Sequence, residues 1–301
     1  EPRALADRSG DEHLIQAYQD DKDIYAWIAS FIYHKPYEEC MEFREDGTTN
    51  PEGKKRRDSV KSIILGIMYS RGAPAIAEQL GVSVKEAQGI IDKFFNQFPK
   101  VKTFIDETVN RAKQTGYVET AWGRKRRLLD MLLPEYEFKY IDGVPHDFDP
   151  LSFEQGIVTD ELEPSLIVDL TKKLNSCYSY KAKNNIITQL KHQGIKVKDN
   201  GGFIAEATRQ CVNSVIQGTA ADITKKAMIL IGNDIKMKEL GFKLLLQVHD
   251  EVIGEGPEEN AKQISERLVE LMIEAAREEI KVPMKVDTEI TKIWYGERVD
   301  V

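Results

Sequence analysis

The chain has 301 residues, 41% of them hydrophobic and 31% charged, which is enough apolar material for a substantial core in two or three structural units and excludes an extended, unfolded chain. A formal charge of −8 argues against a uniformly basic polyanion binder. No apolar run approaches the roughly 18 residues of a membrane span, and no basic segment followed by a hydrophobic stretch opens the chain, so a cytoplasmic protein with no membrane partner is expected.

Cys40, Cys177 and Cys211 lack CxxC spacing, so neither a disulfide framework nor a zinc site is suggested, and buried apolar thiols are expected. The charge is unevenly spread. Lys54 to Arg57 read KKRR and Arg124 to Arg127 read RKRR, while acidic residues collect in 131–163 and 250–277. Local basic clusters on an acidic chain fit a phosphate-binding groove, with a solvated surface as the alternative.

In chain order, the first half reads as helical. The stretch RRDSVKSIILGIMYS, Arg56 to Ser70, predicts a helix with a basic first part. Ser83 and Glu86 form a capping-box pattern ahead of an apolar stripe that runs to Phe98 and is ended by Pro99. A second helix follows and closes near Gly116. The segment YVETAWGRKRRLL then predicts an extended piece turning at Gly123.

From 131 to 203 the texture changes: GVPHDFDPLSFEQG is turn-rich, LIVDLTKKL is helical, and HQGIKVKDNGGF returns to loops or a short hairpin. A long helix is expected from about Ala205 into the 230s, then two strands around a turn in KLLLQVHDEVIGEG, an amphipathic helix over Ala261 to Ile280, and a last strand in PMKVDTEITKIWYG. Helices followed by mixed strands and helices define an α+β class. The divisions are 1–130, an insertion or subdomain at 131–203, and 204–301.

Three constellations carry chemistry. Arg57, Lys61, Leu65 and Tyr69 stand four apart, so one helix face offers two cations, an apolar contact and an aromatic ring. That order suits a triphosphate followed by a sugar and base; a solvated basic helix is the plain alternative. Arg209, Asn213 and Gln217 repeat the spacing, in residue types that contact phosphate, sugar and minor-groove acceptors, or simply form a polar outer face. Finally, Asp250 follows His249 and precedes Glu251 after an apolar run that reads as a buried strand. A carboxylate held at a hairpin turn suits a divalent metal acting on phosphates, and two-metal phosphoryl transfer requires a second carboxylate. Glu251 points to the opposite face from its neighbour and is poorly placed for that role.

These segments, in this order, resemble DNA polymerase family A: the R-x3-K-x7-Y fingers helix, the T-x2-G-R-x-R segment in TAWGRKRR, the helix RQCVNSVIQGTAAD, and the palm hairpin QVHDE. The resemblance implies the fingers (mostly α) and part of the palm (antiparallel sheet with helices) of a right-hand polymerase, adding dNTPs to the primer 3′ end of primer–template DNA with two Mg²⁺ ions. It assigns Arg57 and Lys61 to the triphosphate, Leu65 and Tyr69 to the nucleotide, Arg124, Arg126, Arg209, Asn213, Gln217 and His249 to DNA, Asp250 to metal, and Glu251 to support of catalysis. Glu1 matches the glutamate that ends a D-x-S-x-x-E motif and blocks a ribose 2′-hydroxyl. The aspartate of that motif would lie five residues earlier, so an N-terminal polymerase polypeptide carrying it, with the thumb and any exonuclease, is an expected partner, and an accessory replication protein is another.

Several features depart from the family pattern. Leu65 replaces a large aromatic residue, Ser70 a glycine, and 131–203 lengthens a short connection. The N-terminal texture resembles phage-type members, which would place the protein in a host cytoplasm. A catalytically inert DNA- or nucleotide-binding module and a single-subunit RNA polymerase fragment are the alternative readings.

Overall fold

The computed structural model describes residues 1–69, 71–140 and 162–299. The stretch 143–156 and Ser70 fall outside the described residues. The chain forms two compact units: residues 1–113, 117–127 and 209–301 make the first, and 114–116 with 128–208 make the second.

The first unit opens with α1 (Pro2–Ser9), α2 (Glu12–Gln19), α3 (Ile24–Tyr33), α4 (Pro51–Met68), α5 (Ala73–Leu80), α6 (Val84–Gln97) and α7 (Pro99–Thr115). Side-chain caps set where many of these begin. Asp11 accepts from Leu14 N at α2, Asn50 from Gly53 N at α4, and Ser83 and Glu86 complete the expected capping box at α6. Gly116, with φ +72°, stops α7 as anticipated.

One apolar cluster joins α1 to α7. Its most enclosed side chains include Leu5, Ile28, Ile63, Met68, Phe94 and Phe98, and Val212, Ile216, Ile280 and Val282 of the C-terminal third complete it. The helix carrying the basic motif is therefore anchored through Val60, Ile63, Ile64 and Ile67 on one side while Lys61 stays exposed on the other.

The hairpin β1 (Tyr117–Glu119) and β2 (Lys125–Arg127) turns at Gly123, φ +73°, and holds its basic strand exposed. In the second unit β3 (Tyr136–Tyr140) pairs antiparallel with β4 (Ile195–Asp199), and α8 (Pro164–Asn175) and α9 (Tyr180–His192) share with them a core of Tyr136, Leu170, Leu174, Leu190 and Val197. The HQGIKVKDNGGF stretch thus supplies one strand whose partner lies before the helices, not a local hairpin, because a core across the four elements forms only with that pairing.

The long helix α10 (Gly201–Asn233) starts four residues earlier than expected. It leads to α11 (Ile235–Glu239), the hairpin β5 (Lys243–Val248) and β6 (Glu251–Glu255), and α12 (Ala261–Glu274). A small core of Ile231, Met237, Ile264 and Leu271 binds these together, with Phe242 and Val252 packed against it.

Two expectations are corrected here. The apolar run Leu244 to Val248 is not a buried strand: Leu245 is 52% exposed and Leu244, Leu246 and Val248 are exposed beside it, since β5 pairs only with β6 among the described residues and its apolar side chains are incompletely covered. The PMKVDTEITKIWYG segment forms no strand, only an isolated bridge between Thr291 and Arg298, because among the described residues no sheet edge pairs with it along its length. Cys40 and Cys211 are buried as expected, whereas Cys177 is only half-buried.

Candidate polymerase active site

The β5–β6 hairpin closes with a two-residue turn, His249 and Asp250, between the paired Val248 and Glu251. His249 has φ +54°, a left-handed conformation uncommon for a non-glycine residue, and the turn projects the Asp250 carboxylate into solvent. The Gln247 side chain donates to the His249 carbonyl and braces the turn. Glu251 opens β6 and is also exposed.

Residues far apart in the chain meet at Tyr69, the C-cap of α4. Gln217 on α10 donates its Nε2–H to the Tyr69 hydroxyl at 3.1 Å, and that hydroxyl donates onward to Glu1 Oε2 at 3.4 Å. Asp250 lies within electrostatic reach of the same corner. Burial lowers the pKa of the α-amino group at Glu1, and the Glu1 carboxylate followed by that of Asp250 act in the opposite direction. The fingers-type motif, the α10 motif and Glu1 are thus brought together by the first unit.

Arg57 and Lys61 stand one turn apart on α4, with Leu65 one turn further on and packed partly into the main core. Arg57 is fully engaged at one edge: its Nε donates to Asp23 Oδ2 at 2.7 Å, and its guanidinium lies 5.4 Å from the centre of the Tyr25 ring. Nη1 has Glu42 at 3.8 Å and Asp58 at 3.7 Å, beyond hydrogen-bonding range. Burial opposes the Arg57 charge, but the hydrogen bond and charge of Asp23, with Glu42 and Asp58 behind it, outweigh burial and raise its pKa. Sequence reading did not single out Asp23 or Tyr25. Their only local signal was an aspartate in N-cap position before an apolar run.

On α10, Arg209 is exposed and Gln217 is exposed apart from its bond to Tyr69. The Asn213 Oδ1 is buried with no hydrogen-bond partner among the described residues. Gly218 admits the β1–β2 hairpin: a Cβ there would sit 2.6 Å from Thr120 Cγ2, and the Gly218 carbonyl accepts from Arg124 Nη2 at 3.1 Å. Arg124 Nε also donates to Asp222 at 2.7 Å and Arg126 Nη2 to Gln210 at 2.7 Å, which fastens the basic hairpin to α10. Burial pushes the Cys211 thiol on this helix up to about 11, so it is an inert packing group.

Asp250 offers one exposed carboxylate to a metal, and no group of three or more His, Cys, Asp or Glu that could hold a metal ion occurs among the described residues. That donor set fits Mg²⁺ in part, since this ion is held by one or two carboxylates together with substrate phosphates.

A helical body with a long site helix and a solvent-projecting His-Asp hairpin is the fold of right-hand polymerase fingers and part of a palm. The polymerase domain of Pol1 from M. smegmatis, solved with DNA primer-template and dNTP, has this fold at a TM-score of 0.63 and 24% identity, over 94% of this chain and 36% of that one. The DNA polymerase family A model matches residues 1–139 and 170–296, and the chain belongs to that family. DNA polymerase I of Bacillus subtilis is 30% identical over 295 residues, 98% of this chain and 24% of the relative. DNA polymerase I of Chloroflexus aurantiacus and the thermostable DNA polymerase I of Thermus aquaticus are each 28% identical, across 98% of this chain and 23% and 26% of theirs. The chain thus spans about a quarter of the length of these relatives.

Proposed function

We propose that this chain supplies the fingers and part of the palm of a DNA-directed DNA polymerase that adds dNTPs to a primer 3′ end. The observation that carries the reading is the convergence of Glu1, Tyr69 and Gln217 through their hydrogen bonds, with Asp250 within electrostatic reach. Motifs separated by 68 and 148 residues meet at one corner, as a shared substrate site requires.

In this reading Arg57 and Lys61 hold the triphosphate, Leu65 and Tyr69 face the sugar and base, and Glu1 excludes a ribose 2′-hydroxyl. Arg209, Asn213 and Gln217 line the duplex side, with Arg124 and Arg126 braced against the same helix and His249 beside the primer end. The Asn213 Oδ1, buried and without a hydrogen-bond partner among the described residues, is an acceptor that a bound water or a ligand donor reaching it would satisfy. Asp250 would hold Mg²⁺, supported by Glu251. The bound metal pair would supply charge stabilisation at the reacting phosphate. The protein's own contribution is positioning and fixed electrostatics.

The second metal-binding carboxylate comes from a polymerase polypeptide segment outside these 301 residues, together with the thumb and any exonuclease. The exposed leucines of β5 support this, since an apolar strand left open to solvent is a surface that further palm structure would cover. Within the expected 131–203 subdomain the family model leaves out only residues 140–169, which are proposed as the insertion on the family pattern, with an accessory replication protein as its partner. A phage origin, with action in the host cytoplasm, is the accompanying proposal; no described helix is long and apolar enough to cross a membrane.

Primer extension with Mg²⁺ and dNTPs tests the reading, using the chain alone, the chain mixed with a polypeptide bearing the upstream aspartate motif, and Asp250→Ala in the mixture. Extension in the mixture that the substitution abolishes supports a polymerase site completed from outside. Association and primer–template binding without extension would leave an inert binding module.

A further inference from the structure

Asp23 is an unusually committed carboxylate. Its Oδ1 accepts from Tyr25 N at 3.0 Å and Ala26 N at 3.1 Å, capping α3, while its Oδ2 accepts from Arg57 Nε at 2.7 Å. Its backbone N–H donates to the Tyr37 hydroxyl at 3.0 Å, which pins the residue from behind. The Tyr25 ring, fixed in the first turn of α3, lies against the guanidinium.

A guanidinium has five N–H donors in a planar fork. Asp23 occupies the Nε edge, the Tyr25 ring centre lies 5.4 Å from the guanidinium carbon, and among the described residues the four Nη hydrogens have no hydrogen-bonded partner. The carboxylates nearest to them, Glu42 and Asp58, stay at 3.8 and 3.7 Å, and Glu42 is committed to Lys54 at 2.7 Å. A long, flexible side chain is thereby restricted to one orientation before any anion arrives, and pre-organisation of this kind lowers the ordering cost of binding.

We propose that Asp23 and Tyr25 are positioning residues that aim the Nη edge of Arg57 at the triphosphate of the incoming nucleotide. This rests on the reading of Arg57 as a triphosphate ligand. It makes a prediction opposite in sign to the simpler expectation that a carboxylate beside a phosphate-binding arginine competes with phosphate. Asp23 strengthens anion binding, whereas Glu42, which approaches the Nη side, weakens it.

The test is isothermal titration of the 301-residue chain with inorganic tripolyphosphate and with dATP, both with Mg²⁺, for the wild type, Arg57→Ala, Asp23→Asn, Glu42→Gln and the double variant Asp23→Asn/Arg57→Ala. Asparagine is also a good N-cap, so α3 keeps its start while the Oδ2 acceptor becomes a donor facing Nε. Asp23→Asn should weaken binding of both probes by about threefold to tenfold, the cost of ordering a guanidinium side chain that is no longer held in place. Glu42→Gln should tighten binding by about threefold, as for removal of one partly exposed like charge. In the Arg57→Ala background the Asp23 substitution should have no further effect.

Tighter or unchanged binding by Asp23→Asn, or an undiminished Asp23 effect in the absence of Arg57, overturns the positioning role while leaving Arg57 as a ligand. Indifference of the wild-type affinity to Arg57→Ala overturns both readings. Should Asp23→Asn fail to fold, Tyr25→Leu provides the second arm. Removing the ring beside the guanidinium should weaken binding several-fold, an effect again confined to chains that retain Arg57, and equal affinity would refute the role.

Discussion

Gly53 is the sharpest test of how α4 is held. By intrinsic propensity alone, Gly53→Ala in a helix is worth about 1 kcal/mol of added stability. The structure reverses the sign. A Cβ at Gly53 would collide with the Met41 carbonyl oxygen, which is backbone and cannot rotate aside, and would lie 2.9 Å from Asn50 Cγ. Asn50 is the N-cap whose side chain accepts from Gly53 N at 3.1 Å, and it also reaches the Glu39 carbonyl. Loss of that cap costs about 1 kcal/mol, and forced overpacking costs about 1–3 kcal/mol. After subtracting the propensity gain, Gly53→Ala should destabilise the chain by about 1–3 kcal/mol. Urea unfolding followed by far-ultraviolet circular dichroism measures this directly. Because Arg57 stands one turn beyond Gly53, tripolyphosphate binding should weaken in the same variant. A gain of about 1 kcal/mol would refute the account and show that the first turn of α4 yields freely.

Three further outcomes follow from the same structure. Tyr69→Phe removes the hydroxyl that links Gln217 to Glu1 and should cost about 1 kcal/mol in dNTP binding, with little change for tripolyphosphate; equal losses for both would show that the link does not serve the sugar and base end. Phe94→Ala empties a side chain that is 1% exposed and packs on Phe95 and Phe98, and should cost about 3–5 kcal/mol in urea unfolding. Asp234 caps α11 through Met237 N at 2.8 Å and receives Arg267 at 2.6 Å. Arg267, then burial in opposition, then the Met237 N–H act on its carboxyl, and its pKa lies below the usual aspartate value. The stability it contributes is present above the unfolded pKa of about 4 and is lost as pH falls through the lower folded value. Asp234→Asn should therefore be less stable than the wild type at pH 7, and the gap should close in unfolding curves recorded well below pH 4; a gap independent of pH would assign the effect to packing instead.

The sequence by itself determined what four-residue chemistry can specify. The Ser83–Glu86 box starts α6, Gly116 and Gly123 take the left-handed backbone their turns require, and the four-residue spacings put Arg57 beside Lys61 and Asn213 beside Gln217. The His249–Asp250 turn was legible for the same reason, since a short polar pair between two apolar runs is a local hairpin signal. Only the tertiary structure decided the rest. Arg57 finds Asp23 across 34 residues, Gln217 finds Tyr69 across 148, and β4 finds β3 rather than a neighbour. An apolar run likewise does not reveal whether anything covers it, so Leu244 to Val248 read as buried and emerged exposed. The segment after Pro283 has strand-like residues but, among the described residues, no edge to join. Local propensity fixes the conformations a segment can adopt, whereas burial and long-range hydrogen bonding depend on partners whose position in space no short window contains.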